Sequence, residues 1–400
     1  MRRYLIAWRT PGVRRFVVPG FIARFPGAMT GIALTLMISG FYGEYTLAGI
    51  VTAVHTVAFA VGAPVCGRLI DRFGQTRVGY PLIALFTAAA AGLTAAAWLH
   101  APWPVLAGCA IVTGSTSFPI GPLTRSRWSH VLQNSPILQP AFALESMLDD
   151  VAYIVAPTFA TVSATLAWPR LGVQPAAGVI LLLVLLVGSG SFFLAQRASE
   201  PPVADRRRGS AIRYPGVAVV AVVFIGVGLQ FGANNITMVA MCEHLGRKAW
   251  AGPIMAAGSL ASMLGALWYG ARPWRSPLWQ RFVIGLLFVA GTALLFLVAF
   301  EYWSLAVVSF LSGFAISPSF VNGNSLIERL VPSENLTEGL TWIGTALGIG
   351  MAAGAGLAGR MVDAHGAHSG YWVLAAGAVL AMLIAVASGR LLSRQPTLRP

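Results

Sequence analysis

The sequence predicts an all-α membrane protein of twelve transmembrane helices in two six-helix halves, with both termini on the cytoplasmic side. Three observations lead there. Hydrophobic residues make up 56% of the 400 and charged residues only 10%, with a mean hydropathy of +0.73. Soluble domains run at about 45–50% apolar and about 25% charged. The apolar residues also gather into runs of roughly 18–25, long enough to cross a ~30 Å hydrocarbon core as helices. Finally, the basic residues fall unevenly between alternate connections, as the positive-inside rule requires.

The first run, 16–39, follows a basic start from Met1 to Arg15 that has no small-residue cleavage site, so it reads as a retained helix and not a cleaved signal. The next five lie near 45–69, 78–99, 103–124, 140–166 and 175–196. The last six lie near 216–241, 249–271, 281–300, 303–326, 337–360 and 371–392. Between the sixth and seventh is the one long polar stretch, Arg197 to Gly216, with Pro201-Pro202 and the run Arg206-Arg207-Arg208. The expected organisation is a half at 1–196, a cytoplasmic linker at 197–215, and a half at 216–400.

With the N-terminus in the cytoplasm, 22 of the 27 basic residues fall on the cytoplasmic side. Only Arg170, Arg247, Lys248 and Arg360 fall outside, and Arg24 remains within the first run. A wrong helix count would scramble that asymmetry. In a soluble protein the +14 charge would suggest nucleic acid. Here topology accounts for it, and no nucleic-acid partner is expected. Cys66, Cys109 and Cys242 are isolated in apolar runs, with no metal or disulfide spacing. The expected setting is the inner membrane of a prokaryote, with the lipid bilayer as the main partner of a monomer.

Gly67-Arg68-Leu69-Ile70-Asp71-Arg72-Phe73-Gly74-Gln75-Thr76-Arg77 is a charged turn between two apolar runs, where the chain leaves the bilayer. The pattern Gly-x-x-x-Asp-Arg-x-Gly resembles the signature loop after the second helix of the major facilitator superfamily of transporters. The matching positions are Gly67, Asp71, Arg72, Gly74 and Arg77, while two positions usually basic in that family read Gln75 and Thr76. The resemblance implies a gate: the family's loop acid faces the start of helix 11, here near Leu336–Glu338, and stabilises the outward-open state. Gly359-Arg360-Met361-Val362-Asp363-Ala364-His365-Gly366 echoes the motif at the end of the eleventh run, as inverted three-helix repeats predict.

Charged groups inside a span cost about 2.5–3.5 kcal/mol each on the insertion scale, which makes them candidates for function. The fifth run has three, Glu145, Asp149 and Asp150, and Glu145 and Asp149 share a face. Arg24 lies at a similar depth in the first run, and the resemblance makes those two helices neighbours. Arg24 is expected to pair with Asp149 or Asp150, leaving an acid that gains and loses a proton as water access alternates. A static ion-pair network that only fixes helix packing is the competing account. His55, about ten residues into the second run, is either a titrating group or a buried, hydrogen-bonded one.

Beyond the acids, Ala152, Ala156, Pro157, Ala160 and Thr161 resemble the helix 5 motif Gly-x-x-x-Gly-Pro-x-x-Gly-Gly of the drug:proton antiporter branch, with small residues in place of the glycines. Small side chains at four-residue spacing let helices approach closely. Residues 103–124 lack the embedded arginine that many antiporters of the family carry in helix 4. Gly344, Gly348, Gly350, Gly354 and Gly356 are expected to form one small-residue face on the eleventh helix. Gln230, Asn234 and Asn235 on the seventh helix, with Asn322 and Asn324 on the tenth, are the substrate-contact candidates, since the resemblance places those helices around a central cavity. Interhelical hydrogen bonding is the alternative use of these amides.

The expected function is a proton-coupled exporter of amphipathic small molecules or drugs, driven by the proton gradient, with no cofactor and no metal. An importer or metabolite carrier on the same fold is the alternative. An enzyme, such as a lipid transferase, is not expected, because no catalytic set gathers at either face.

Overall fold

A computed structural model of the chain describes residues 2–43, 45–132, 135–166, 176–202, 209–247 and 250–394. Among these residues the regular structure is entirely helical. In chain order the first helices are α1 (Arg2–Arg9), α2 (Val13–Ile22), α3 (Arg24–Tyr42), α4 (Tyr45–Phe73), α5 (Gln75–Trp98), α6 (Trp103–Ser115), α7 (Ile120–Val131) and α8 (Leu138–Leu166). They are followed by α9 (Ala177–Leu185), a π turn over Leu186–Gly190, and α10 (Ser191–Ala195). The remainder are α11 (Pro215–His244), α12 (Ala251–Ala271), α13 (Leu278–Leu295), α14 (Tyr302–Leu330), α15 (Leu336–His365), α16 (Gly370–Ala387) and α17 (Gly389–Arg394).

Eleven helical segments among the described residues are long and apolar enough to cross a membrane, which makes this a multi-pass membrane protein. Helix α8 is 29 residues long, carries the three acids and stands outside those eleven. Trp98, Trp103, Trp303 and Trp372 are exposed at helix ends, where aromatic residues sit at membrane–water interfaces.

The chain forms two compact units. One comprises Trp8–Gln133 and Val151–Arg207; in it α3 packs on α4 and α9, and α4 packs on α5 and α6. The other comprises Met1–Ala7, Asn134–Asp150 and Arg208–Pro400; in it α11 packs on α15 and α16, and α12 packs on α14. The α11–α15 contact is backbone on backbone. A Cβ on Gly350 would meet the Ile225 carbonyl, and one on Gly354 the Leu229 carbonyl. Tyr4 is buried in the same unit, where its hydroxyl donates to Ala266 O at 3.0 Å and Leu267 O at 2.8 Å. Burial raises the Tyr4 pKa above its ordinary value, so it stays a donor.

Several expectations need correction. The first run is not one helix but two, joined at Ala23, because Pro26 has no N–H for the Ile22 carbonyl and its ring crowds the preceding turn. The fourth run breaks at 116–119 for the same reason at Pro119, and the freed Ser115 carbonyl accepts from Cys66 Sγ at 3.3 Å. The charged loop shrinks to one residue. Helix α4 runs through Asp71 and Arg72 to Phe73, and Gly74 alone separates it from α5. Gly74 has φ 93° and ψ 152°, a backbone region essentially reserved for glycine. The five-glycine face of α15 also splits: Gly350 and Gly354 meet α11, whereas a Cβ on Gly344, Gly348 or Gly356 would meet nothing within 4 Å. At 100° per residue these sets lie on different sides of the helix.

Candidate functional site

Helix α8 presents Glu145 fully buried and Asp149 and Asp150 part-buried. Ser317 Oγ of α14 donates to Asp150 Oδ2 at 3.1 Å. Ser317 also shares a 2.7 Å hydroxyl–hydroxyl bond with Ser262 of α12, and both serines are almost fully buried. Glycines explain the proximity. A Cβ on Gly265 would strike the Phe314 carbonyl and one on Gly313 the Gly258 carbonyl, so α12 and α14 lie in backbone contact at these points. The result is a part-buried carboxyl joined to two buried hydroxyls, each able to turn from donor to acceptor.

Ala152, Ala156 and Ala160 follow on α8 and are all buried, and Gly178 of α9 seats against the Ala160 carbonyl at 3.2 Å from its would-be Cβ. Pro157 lies on the same helix, with its side chain outside the described residues.

Arg24 opens α3 at the break in the first span and is buried. Its Nη2 donates to Thr124 Oγ1 of α7 at 2.8 Å, just past the break in the fourth span. Gly20 makes room for the Thr124 methyl. The two interrupted spans thus meet at the embedded arginine. Irregular backbone at membrane depth is tolerated where protein or a cavity surrounds it, and it often marks an ion or substrate site. His55 is buried, with Nδ1 3.1 Å from Thr113 Oγ1.

The amides of the other unit are not gathered into one cluster by their bonds. Gln230 Nε2 reaches Ser312 Oγ at 3.4 Å, and Asn324 donates to Phe320 O of its own helix at 2.8 Å. Asn322 Oδ1 accepts from Tyr269 OH at 2.5 Å, and Arg281 Nη1 donates to that same hydroxyl at 3.1 Å. Asn235 is part-buried beside Asn234. Among the described residues Gln230 Oε1, Asn234 Oδ1 and Asn322 Nδ2 are buried without a hydrogen-bond partner. Gln230 and Asn234 are four apart on α11, so two unsatisfied acceptors share one helix face.

Around the signature residues, Gly67 is buried, Arg77 is exposed, and the Arg72 guanidinium lies 4.9 Å from the Phe73 ring centre. Arg127 lies three residues beyond the apolar run 103–124, yet it is fully buried at the centre of a network. Its Nε donates to Gln75 Oε1 at 2.8 Å. Its Nη1 donates to Phe193 O, Gln196 O and Ser199 Oγ at 2.9–3.0 Å, and it lies 3.9 Å from the Phe193 ring centre. Glu200 completes the set, accepting from Thr76 N at 2.9 Å and Thr76 Oγ1 at 2.5 Å. Gln75 and Thr76, the positions where basic residues were expected, therefore bind an arginine and a carboxylate brought from elsewhere in the chain.

Residues 275–398 match the family model of the Major Facilitator Superfamily. The 4-hydroxybenzoate transporter PcaK of Pseudomonas putida is 28% identical over 166 residues. That alignment covers 40% of this chain and 35% of PcaK, so the chain matches about a third of that relative's length. Among solved structures, a bacterial homologue of the iron transporter ferroportin in an outward-facing state superposes with a TM-score of 0.74 at 12% identity, covering 94% of this chain and 98% of that one. The human organic anion transporter MFSD10 gives 0.70 at 13% identity, with 94% and 100% covered. The fucose:proton symporter of E. coli gives 0.70 at 12% identity, with 93% and 98% covered. These likenesses show that the chain has the fold of the major facilitator transporters.

Proposed function

We propose that the chain is a secondary active transporter of the Major Facilitator Superfamily that exports an amphipathic small molecule across the inner membrane in exchange for protons. It works as a monomer of twelve spans, Leu138–Leu166 being the fifth, with both termini cytoplasmic. The observation that supports this most is Asp150 in contact with Ser317, which is itself bonded to Ser262. An acid at that depth is retained where it serves a proton or ion path, and the serine pair offers a partner to either of its protonation states. Glu145 and Asp149 stand beside Asp150 on α8 as further proton-handling candidates, and Arg24 and His55 are the candidates of the other unit. Gln230, Asn234, Asn235, Asn322 and Asn324 face the substrate, with the open acceptors of Gln230 and Asn234 meeting its donors.

Everted vesicles test this reading. Substrate-dependent proton flux should fall at least tenfold in Asp150→Asn, while Ser317→Ala should shift its pH profile. Unchanged flux in both Asp149→Asn and Asp150→Asn would sink the coupling role.

A second reading is a carrier of small organic anions, the substrate class named for the 4-hydroxybenzoate transporter matched over about a third of its length. On that reading the buried Arg24 takes the carboxylate. Uptake of 4-hydroxybenzoate by intact cells, lost in Arg24→Gln, would support it over export.

A further inference from the structure

Two hollows lie along one face of α2. The first, of about 370 Å³, is basic and is lined by Trp8, Arg9, Gly12, Arg14 and Arg15. Arg14 is oriented by Trp8: its Nε donates to Trp8 O at 3.3 Å, and its guanidinium lies 5.6 Å from the indole centre. All three arginines are exposed, and no acid among the described residues lines the hollow. The second hollow, of about 340 Å³, is an apolar groove between α2 and the sixth span. Val18, Pro19 and Ile22 form one wall, and Val184, Gly188 and Phe192 the other.

The groove arises from a local irregularity. The π turn over Leu186–Gly190 widens the helix there, and Gly188 leaves its wall bare, since a Cβ at that position would meet nothing within 4 Å. Ser189, also on the rim, turns its hydroxyl back to Leu185 O at 2.5 Å. Val184 and Phe192 keep 65% and 58% of their surface open, so no described residue fills the space. Arg14, Val18 and Ile22 are four apart, which aligns the two hollows on one helix face. Arg15 to Ile22 covers ~10 Å along the axis. Every residue involved belongs to the unit Trp8–Gln133 with Val151–Arg207.

We propose that this face binds one anionic phospholipid, with its phosphate among Arg9, Arg14 and Arg15 and one acyl chain in the groove. The groove lies in membrane-spanning segments, where the available occupant is hydrocarbon. The arginines stand at the end of the span, at headgroup level, where a phosphate meets paired guanidinium donors. A peptide segment is a poor occupant, because extended backbone would lose its hydrogen bonds in lipid.

Native mass spectrometry of the full-length protein tests the proposal, by titration with phosphatidylglycerol and with phosphatidylcholine of identical acyl chains. Phosphatidylglycerol should bind at least tenfold tighter. Arg14→Gln and Arg15→Gln should each weaken it roughly fivefold and leave phosphatidylcholine unchanged. Gly188→Leu fills the groove and should weaken both lipids; Phe192→Ser, which removes one wall, should do the same should the first variant fail to fold. Inorganic phosphate should not displace the lipid. Equal binding of the two lipids, displacement by phosphate alone, or unaltered phosphatidylglycerol binding in the folded groove variants would overturn the assignment.

Discussion

Replacing Glu200 with alanine should destabilise the unit built from Trp8–Gln133 and Val151–Arg207 by about 3 kcal/mol. The carboxylate accepts two bonds from Thr76, one from the backbone N–H and one from the hydroxyl. Bonds to a charged group contribute about 1.5–3 kcal/mol each, and the low end applies because Glu200 is only half-buried. The carboxylate also sits at the N-terminus of α5, where a negative charge adds about 0.3–1 kcal/mol. With an unfolding entropy of ~2.1 cal/mol/K per residue, the melting temperature should fall by about 4 °C if the whole chain melts together, and about 8 °C if this unit melts alone. Intrinsic tryptophan fluorescence during heating in detergent reads the shift. Thr76→Val removes the hydroxyl, which donates to Glu200 at 2.5 Å and lies 3.3 Å from Leu194 O, and should cost about 1.5 kcal/mol. The double variant should cost little more than Glu200→Ala, because both remove that bond. A shift below 1 °C for Glu200→Ala, or strict additivity in the pair, would refute the reasoning.

Three further outcomes are expected. Gly354→Val drives a side chain into the Leu229 carbonyl and should cost at least about 1–3 kcal/mol, with a matching loss of folded yield on size-exclusion chromatography. Tyr4→Phe keeps the ring but leaves two carbonyls of α12 without their donor. It should cost about 1 kcal/mol and speed amide exchange over Arg2–Ala7, as read by hydrogen-exchange mass spectrometry. Asp71→Asn, at the signature position, should shift the population toward the inward-open state, seen as a longer spin-label distance across the cytoplasmic side; an unchanged distance counts against a gating role.

The helices were legible because apolar runs of membrane length have few other uses. Their interruptions were not, although Pro26 and Pro119 were in plain view: a run judged by its average hydropathy passes over a single proline. Arg127 was missed for a different reason. An arginine at the end of a span looks the same in sequence whether it reaches for water or is buried, and its partners Gln75, Phe193 and Ser199 lie 52 to 72 residues away. Ser317 stands 167 residues from Asp150, so no local pattern joins them. The glycines of α15 are the opposite case. The helical period alone separates Gly344 and Gly348 from Gly350 and Gly354, and counting small residues without that period merged two faces into one.

The echo of the signature motif is where sequence and backbone agree most closely, and it also separates the two copies. Helix α4 ends at Gly74 with φ 93° and ψ 152°, and α15 ends at Gly366 with φ 89° and ψ 167°. The same glycine-only conformation thus stops a helix of 29 residues and one of 30, each three residues after an aspartate. Repetition of a strained backbone supports internal duplication more than repetition of charges does, since charges recur at any membrane exit. Beyond the glycine the copies diverge. After Gly366 the chain closes on itself, with Ser369 Oγ donating to Met361 O and Gly366 O. After Gly74 the next two residues reach Arg127 and Glu200, from α7 and the segment after α10. The turn after Gly74 shares bonds with two other elements and must move with them or break those bonds.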